Sequence, residues 1–574
     1  MAARDSLERS LSEQVRYGDQ QRIMSEADDI LRGMRICKPP EALAPTGSSA
    51  GEVVAEPSVL DAAIVQARRL GALLQRAVSF PAMLGMLLVG AVFGTVRSFN
   101  VDPDLWWHIK TGELILSTHR WATTDPYSYT AKGMPWMSCE WLGDVVFASV
   151  YRIGGLRGLE ALLVVLASAV ILALYAFATL RSGNSKAGFV AAALLLTLAN
   201  ASFNLRPQMM GYLFLILTLI ALERFRQGKQ RAVWMLPVLF MIWINSHGSW
   251  IIGLGVVALY IACGFVSVQV GSLEAQRWST SERLRLETVF MLSLAAVAVT
   301  PYGVRLAAYP FAVASSYPIA IANILEWQVM PFNMVGGKIF LGLVLGFFLM
   351  QMAFRFSWRI YEILLFVFST AMACIHVRFV LLFVPFFAPL FVTVLARWVP
   401  GYERSKDKYF LNFALMAGIV IAMVHYFPSK ADMAKKVADQ FPVHALEYIR
   451  QHSVPGPMFN SYGFGGYMIL SGYKTFIDGR GELFEEVGVF GDYMHITMLK
   501  PGAIKVLDGY GIQTCLMQRD EPFSTVLASM PDWQKVYSDS VSALYVKRDA
   551  DLSKLVIAQP AAPAEPAAMA AQAR

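Results

Sequence analysis

The sequence predicts an all-α polytopic membrane protein with a small α/β domain near its carboxyl terminus. Apolar residues make up 56% of the chain and charged residues only 16%, and the mean hydropathy is +0.47. This composition is typical of a chain that crosses a membrane many times. Apolar runs of about 20 residues, long enough to cross a bilayer, recur through the middle of the sequence.

About eleven of these runs are predicted to be membrane spans. They lie near residues 81–99, 159–180, 187–203, 208–223, 232–244, 250–270, 288–300, 338–354, 360–375, 379–396 and 409–427. Arginine and lysine concentrate in alternate connections, which the positive-inside rule makes cytoplasmic. The amino terminus is then inside, and an odd number of spans places the carboxyl terminus outside.

The chain divides into four predicted regions. Residues 1–80 form a cytoplasmic amino-terminal region with a linker, and residues 81–428 form the transmembrane domain, with a long first outer loop at 100–158. Residues 429–555 form the outer α/β domain, and the Ala- and Pro-rich tail at 556–574 is expected to be disordered.

The α/β domain is predicted from a change in sequence pattern. Residues 442–452 read as an amphipathic helix. Short runs rich in β-branched and aromatic residues, bounded by turn residues, predict the strands. These runs are 457–461, 474–479, 515–518 and 543–548.

Composition also argues against several classes of function. The formal net charge is +7, but the cations are scattered between apolar runs, which does not favour binding to nucleic acid. The five cysteines show no CxxC or Cys/His spacing, so neither a disulfide framework nor a zinc site is indicated. They are Cys37, Cys139, Cys263, Cys374 and Cys515.

The segment VDPDLWWHIKTGE (101–113) places two carboxylates and a histidine just after the first predicted span. Ionisable groups at a membrane are costly, so they commonly mark functional sites. Asp102 before Pro103 is the pattern of a helix N-cap and a first helical residue. Asp104 then lies in the first turn, with His108 on the same helix face. The alternative for Asp104 and His108 is a solvated surface position.

The first outer loop is also rich in tryptophan, a residue enriched where membrane and water meet. It contains five of the thirteen tryptophans of the chain, Trp106, Trp107, Trp121, Trp136 and Trp141. The loop is therefore predicted to form helices that lie on the membrane surface.

These motifs resemble the GT-C glycosyltransferases, multi-span enzymes that take sugars from polyprenyl-phosphate or polyprenyl-diphosphate carriers on the outer side of the membrane. DLWWHIKT (104–111) is similar to the DPWFNYRAT region of oligosaccharyltransferase catalytic subunits, whose leading Asp is catalytic. NILE (323–326), YGFGGY (462–467) and TFIDGR (475–480) are similar to later elements of that family. No Trp-Trp-Asp precedes Tyr462, so recognition of an Asn-x-Ser/Thr acceptor is not implied.

The whole pattern, including DPDLWWH, PWMSCEWLG, NSHG and IDGRGELF, is more similar to a group of bacterial mannosyltransferase-like membrane proteins. The resemblance implies transfer of a sugar from a polyprenyl-phosphate-linked donor to an envelope glycan, lipid or protein. It places the reaction on the periplasmic side of a bacterial inner membrane.

Candidate residues follow from the resemblance and from the outer loops. The catalytic candidates are Asp104 and Asp102. The candidate substrate ligands are Arg378, Arg206, His247 and Arg480. The candidate ligands for Mg²⁺ or Mn²⁺ are Asp104, His108 and Glu326, since hard ions prefer carboxylates.

Each of the candidate substrate ligands has a structural alternative. Arg378, the best candidate for the lipid phosphate, and Arg206 could instead extend their charge to the membrane interface. A turn that ends a span explains His247 equally well, and an internal salt bridge explains Arg480.

Two other functions stay open. A glycan ligase or polymerase would use a diphosphate-linked donor and is barely separable from a monosaccharide transferase. A transporter or flippase predicts internal repeats, of which the sequence shows none that is clear; the tryptophan-rich loop and outer domain favour an enzyme.

Overall fold

The computed structural model describes Gln66 and residues 70–97, 101–199 and 202–551, without the side chains of 312–316. The chain from Ala72 onward forms one compact unit, and Met1–Gly71 is assigned to another. The predictions for residues 1–65 and for the tail at 556–574 lie outside the described residues.

Most of the described chain is helical. The α-helices are α1 Phe80–Val96, α2 Leu105–Thr118, α3 Trp141–Ser182, α4 Ser185–Ala199, α5 Gln208–Arg226, α6 Leu236–Ser246, α7 Trp250–Cys263, α8 Thr280–Ala296, α9 Val304–Ser316, α10 Pro318–Asn323, α11 Val335–Phe354, α12 Ile360–Ile375, α13 Val380–Leu395, α14 Tyr409–His425, α15 Lys430–Ala438, α16 Val443–His452, α17 Gly465–Leu470, α18 Gly481–Glu486, α19 Val489–Thr497, α20 Ala503–Gly509 and α21 Pro522–Ser529. The strands are β1 Val268–Val270, β2 Leu273–Ala275, β3 Trp358–Arg359, β4 Met458–Asn460, β5 Thr514–Gln518, β6 Trp533–Ser538 and β7 Ser542–Lys547.

The apolar helices indicate a membrane protein, although eleven spans are not confirmed. Among the described residues, four helices are long and apolar enough to cross a membrane, or up to six if each of two bent pairs forms one span. The four are Trp141–Ser182, Gln208–Arg226, Val335–Phe354 and Val377–Leu395. Every predicted segment overlaps an α-helix, but several are too short: α4, α7 and α12 are apolar helices of 10–17 residues.

The helical stretch Trp141–Ser182, α3, consists of two helical parts that meet at a kink. The sequence predicts a span that starts near 159, and the second helical part begins just after the kink. Gly155 lies at the kink, and its φ of 55° and ψ of −147° are not helical. This conformation suits glycine, which carries no Cβ to clash.

The first outer loop is packed into the protein rather than spread on a membrane surface. Trp106 is fully buried and makes edge contacts with Phe441 and Tyr467 at ring distances of 5.4 and 5.2 Å. Trp136 is also buried, whereas Trp121 is 39% exposed. The predicted surface position is therefore wrong for Trp106 and Trp136, because the carboxyl-terminal region covers them.

A four-stranded sheet in the order β4-β5-β7-β6 organises the carboxyl-terminal region. β4 and β5 are parallel, and the other pairs are antiparallel. The helix predicted at 442–452 is confirmed as α16, and three predicted strands are confirmed as β4, β5 and β7. β6 was not predicted.

The strand predicted at 474–479 does not join this sheet. Thr475 instead forms an isolated parallel bridge with Ser128 of the first outer loop. Tyr127 and Phe476 belong to the same buried apolar cluster. Extended residues of the two segments thus satisfy each other's backbone hydrogen bonds. This contact holds the loop against the carboxyl-terminal region.

Candidate functional site

Three carboxylates from two segments of the chain converge on one arginine. Arg206 lies in the turn just before α5, where the backbone N–H of Met209 donates to its carbonyl oxygen. Its Nε lies 2.6 Å from Asp102 Oδ2, its Nη2 2.9 Å from Asp104 Oδ2, and its Nη1 2.5 Å from Glu326 Oε1. The structure therefore brings together four of the predicted site residues.

Asp102 is the most enclosed of the three acids and has several partners besides Arg206. The backbone N–H of Asp104 donates to its Oδ1 at 2.9 Å, and Asn204 Nδ2 donates to its Oδ2 at 2.8 Å. α2 starts at Leu105 and its N-cap position is Asp104, two residues later than predicted, but Asp104 makes no side-chain cap bond, and Asp102 makes the bond to the backbone two residues on that is expected of a cap. Asp102 thus fixes the turn that carries Asp104.

Asp104 faces the carboxyl-terminal region across a glycine. Its side chain is 21% exposed, and a Cβ placed on Gly479 would lie 1.7 Å from its Oδ1. Tyr462 donates its hydroxyl to the Gly479 carbonyl at 3.2 Å. Burial raises the pKa of Asp104 to about 6, while Arg206 opposes this rise and Asp102 adds to it. The carboxyl group is thus accessible, and its pKa lies near neutral pH.

Arg378 packs against the segment that carries Glu326. Its guanidinium carbon is 4.2 Å from the centre of the Trp327 ring. His376 Nδ1 is 2.6 Å from the Trp327 carbonyl oxygen, and the Val377 N–H donates to the Gln328 carbonyl at 2.9 Å. These bonds join the two segments, so Arg378 and the carboxylate cluster belong to one site.

Arg378 is half-buried. Within the described part of the chain, no carboxylate forms an ion pair with its guanidinium. A cation stacked on an aromatic ring but without a carboxylate keeps its N–H donors free for an anion.

A second polar cluster lies beside the first, around His108. Its Nδ1 is 2.6 Å from Asp144 Oδ1, and its Nε2 is 3.6 Å from Glu140 Oε2. Burial disfavours the charged ring, but Asp144 and Glu140 outweigh this effect and raise the pKa of His108. Ser138 also donates its hydroxyl to Asp144. The two carboxylates therefore favour the charged form of His108.

Glu140 connects His108 to His247, whose Nε2 lies 3.4 Å from Glu140 Oε1. The backbone N–H of Ser249 donates to His247 Nδ1 at 3.1 Å, so Nδ1 is unprotonated and the ring proton is on Nε2. Burial lowers the pKa of His247 to about 3, helped by Arg378. Burial also raises the pKa of Glu140 to about 7, while His108 opposes the rise.

The predicted metal ligands are not arranged around a common point. His108 pairs with Asp144 and Glu140, whereas Asp104 and Glu326 share the guanidinium of Arg206. Among the described residues, no group of three or more His, Cys, Asp or Glu is placed to hold a metal ion. A divalent ion does not fit between carboxylates that an arginine already bridges.

Two predicted substrate ligands have internal partners instead. Arg480 is only 1% exposed and lies 2.7 Å from both Asp125 and Asp478. It therefore cannot reach a substrate, and removing one partner of such a buried pair costs about 3–5 kcal/mol. Arg206, predicted as a second candidate for the phosphate, forms ion pairs with three carboxylates.

The sequence analysis missed three residues of the site: Glu140, Asp144 and Gly479. Glu140 and Asp144 flank the first turn of a long apolar helix, which is the same signal that drew attention to Asp104. Gly479 had no separate signal, because its importance comes from a contact with a residue far away in sequence.

The chain is similar in structure to two membrane proteins of known structure. The oligosaccharyltransferase of Archaeoglobus fulgidus, solved with a tethered acceptor peptide containing the NVT sequon, has a TM-score of 0.46 and 13% identity, over 83% of this chain and 75% of that one. ArnT of Cupriavidus metallidurans, solved with undecaprenyl phosphate, has a TM-score of 0.43 and 14% identity, over 83% of this chain and 98% of that one.

No protein-family model and no curated protein matches the sequence. With TM-scores below 0.5 the likeness is broad, and the chemistry rests on the residues of this chain.

Proposed function

We propose that the protein is a membrane glycosyltransferase that moves a sugar from a polyprenyl-phosphate-linked donor to an envelope glycan, lipid or protein. The observation that carries the proposal is the set of contacts that joins Asp104 and Arg378 in one site. Arg206 forms ion pairs with both Asp104 and Glu326. Trp327 follows Glu326, and the guanidinium of Arg378 stacks on its ring. An accessible carboxylate and an arginine without a carboxylate partner are the two groups that this reaction needs.

Asp104 serves the acceptor in this proposal. Transfer forms a bond between an acceptor oxygen and C1 of the sugar, and the acceptor must lose its proton. A carboxylate whose pKa is about 6 is a suitable proton acceptor near neutral pH. Asp102 and Glu326 act through Arg206 to hold Asp104 in place, and so they are positioning residues.

Arg378 serves the donor. As the new bond forms, the bond between C1 and the phosphate oxygen breaks, and its electron pair remains on the phosphate. A guanidinium stabilises this charge through paired hydrogen bonds. His247 is affected by the charges of both Arg378 and His108 and lies 3.4 Å from Glu140, so we include His247 and Glu140 as candidate contacts for the sugar.

We expect Arg378→Ala to raise the KM for the lipid donor by about tenfold to a hundredfold, the effect of losing hydrogen bonds to a charged group. The KM for the acceptor should change little. Arg397→Ala is the matched control, because Arg397 follows the other end of α13 and also stacks on an aromatic ring, that of Phe354 at 5.2 Å. Equal donor KM values in the two variants would remove Arg378 from the donor site.

The proposal also includes a topology, with the amino terminus in the cytoplasm and the site on the periplasmic side. Loops rich in arginine and lysine alternate along the chain, as the positive-inside rule requires. Reporter fusions at Arg404 and Lys547 should therefore report opposite compartments. If both report the same compartment, the outer location of the site is wrong.

The function is tested in a strain that lacks the protein. Mass spectrometry of its lipids and envelope glycans should show accumulation of one polyprenyl-phosphate sugar and loss of one sugar from a glycan, lipid or protein. The wild-type gene should reverse both changes, and a gene encoding Asp104→Asn should reverse neither. Unchanged lipids and glycans in the deletion strain would contradict the proposal.

A further inference from the structure

The positive charge at the centre of the three carboxylates is the side chain of Arg206. Nε, Nη1 and Nη2 of Arg206 each lie close to a different carboxylate, at distances between 2.5 and 2.9 Å, and Nη1 donates a hydrogen bond to Glu326. These carboxylates come from two segments that are far apart in sequence. Among the residues that the structure describes, Arg206 is the cation that forms ion pairs with all three.

A convergent set of three carboxylates is a usual ligand set for Mg²⁺ or Mn²⁺. Such an ion needs its oxygen ligands close around it, at about 2.0–2.1 Å for Mg²⁺. The guanidinium of Arg206 lies between the oxygens that would have to approach the ion. His108, the other predicted ligand, is bonded to Asp144 at 2.6 Å and is not available.

We infer that Arg206 takes the place of a divalent metal ion, so that the site needs no metal for transfer. The part of this inference that concerns catalysis rests on the proposed function, whereas the part that concerns metal binding does not. A guanidinium suits this role because it stays protonated at any physiological pH, and its planar fork fixes the direction of each carboxylate. Arg206 is thus a positioning residue that neutralises the cluster and aligns Asp104.

Mn²⁺ binding to the full-length protein in detergent tests the structural part, with calorimetry as the readout. After dialysis against EDTA, wild type and Glu326→Gln should give the same Mn²⁺ titration. Arg206→Ala should bind Mn²⁺ about tenfold or more tightly than wild type, because a positive charge has left the centre of three carboxylates. An Mn²⁺ site in wild type that Glu326→Gln abolishes would overturn the inference. This comparison does not require Arg206→Ala to fold.

Transfer measurements test the catalytic part. Wild-type transfer should be unchanged after EDTA dialysis and unchanged by added Mg²⁺ or Mn²⁺. Arg206→Lys should transfer more slowly by on the order of a hundredfold, because a lysine cannot align three carboxylates and small displacements are costly in rate. Activity that EDTA removes and Mn²⁺ restores would overturn the inference while leaving the proposed function intact. If no donor supports transfer, the proposed function fails and the Mn²⁺ titrations still decide the structural part.

Discussion

Replacing Asp104 by asparagine should lower the rate of sugar transfer by roughly a hundredfold or more, the usual contribution of a general base. The substitution keeps the size and hydrogen-bonding capacity of the side chain and removes its ability to take a proton. The protein should remain folded, since Arg206 keeps its contacts with Asp102 and Glu326. Initial rates on equally expressed, detergent-stable protein measure the effect.

Glu113→Gln is the matched control. Glu113 lies on the same helix, α2, but its side chain is 42% exposed and pairs only with Lys110 at 3.3 Å. We expect normal transfer from this variant. Near-normal transfer by Asp104→Asn would contradict the assignment of Asp104 as the general base. An equal loss in both variants would indicate that α2 tolerates no change of charge.

The pH dependence of transfer provides a second readout for Asp104. Burial raises its pKa to about 6, and a general base acts only when deprotonated. The rate should therefore rise as the pH increases through about 6 and level off above it. The residual activity of Asp104→Asn should lack this rise, whereas a purely structural role for Asp104 would leave the profile unchanged.

Gly479→Ala should reduce transfer on the order of a hundredfold, because displacing a catalytic group by about 1 Å can cost that much. The added Cβ would lie 1.7 Å from Asp104 Oδ1 and 3.3 Å from Trp107 Nε1, so Asp104 must move. The variant contains no change in any ionisable residue. Its loss of rate, with little change in the KM for the donor, would show that the carboxyl-terminal region positions Asp104.

Gly509→Ala is the control for this substitution. Gly509 lies in α20 of the same region, and a Cβ there would meet nothing within 4 Å. Transfer by this variant should equal that of wild type. Full activity of Gly479→Ala would mean that Asp104 does not depend on the close contact with this glycine.

The apolar pattern located the helices well, because burial of apolar side chains in a bilayer or core leaves a strong signal over many residues. Each predicted span overlaps a helix. The number of spans was harder to predict, because length depends on where a helix ends or bends. Gly155 illustrates this, since two helical parts of α3 meet there at a kink.

The sequence predicted which residues belong to the site better than it predicted which of them contact each other. Asp102, Asp104 and Glu326 stood out as acids on outer loops, and the structure places all three at Arg206. Charge alone could not show whether an arginine would meet a phosphate or a carboxylate. Arg206 and Arg480 both pair with acids of the chain, and only tertiary structure brings those acids within reach.

The most direct test of the proposed site is the release of lipid carrier by purified protein. Protein reconstituted in vesicles would be given the polyprenyl-linked sugars extracted from the deletion strain, together with membranes of that strain as the source of acceptor. Mass spectrometry should detect free polyprenyl monophosphate with wild type and Glu113→Gln, and almost none with Asp104→Asn. Release of polyprenyl diphosphate would indicate a glycan ligase or polymerase instead. Equal release by wild type and Asp104→Asn, or no release by wild type, would contradict the proposal that the Asp104 site transfers sugar from a lipid phosphate.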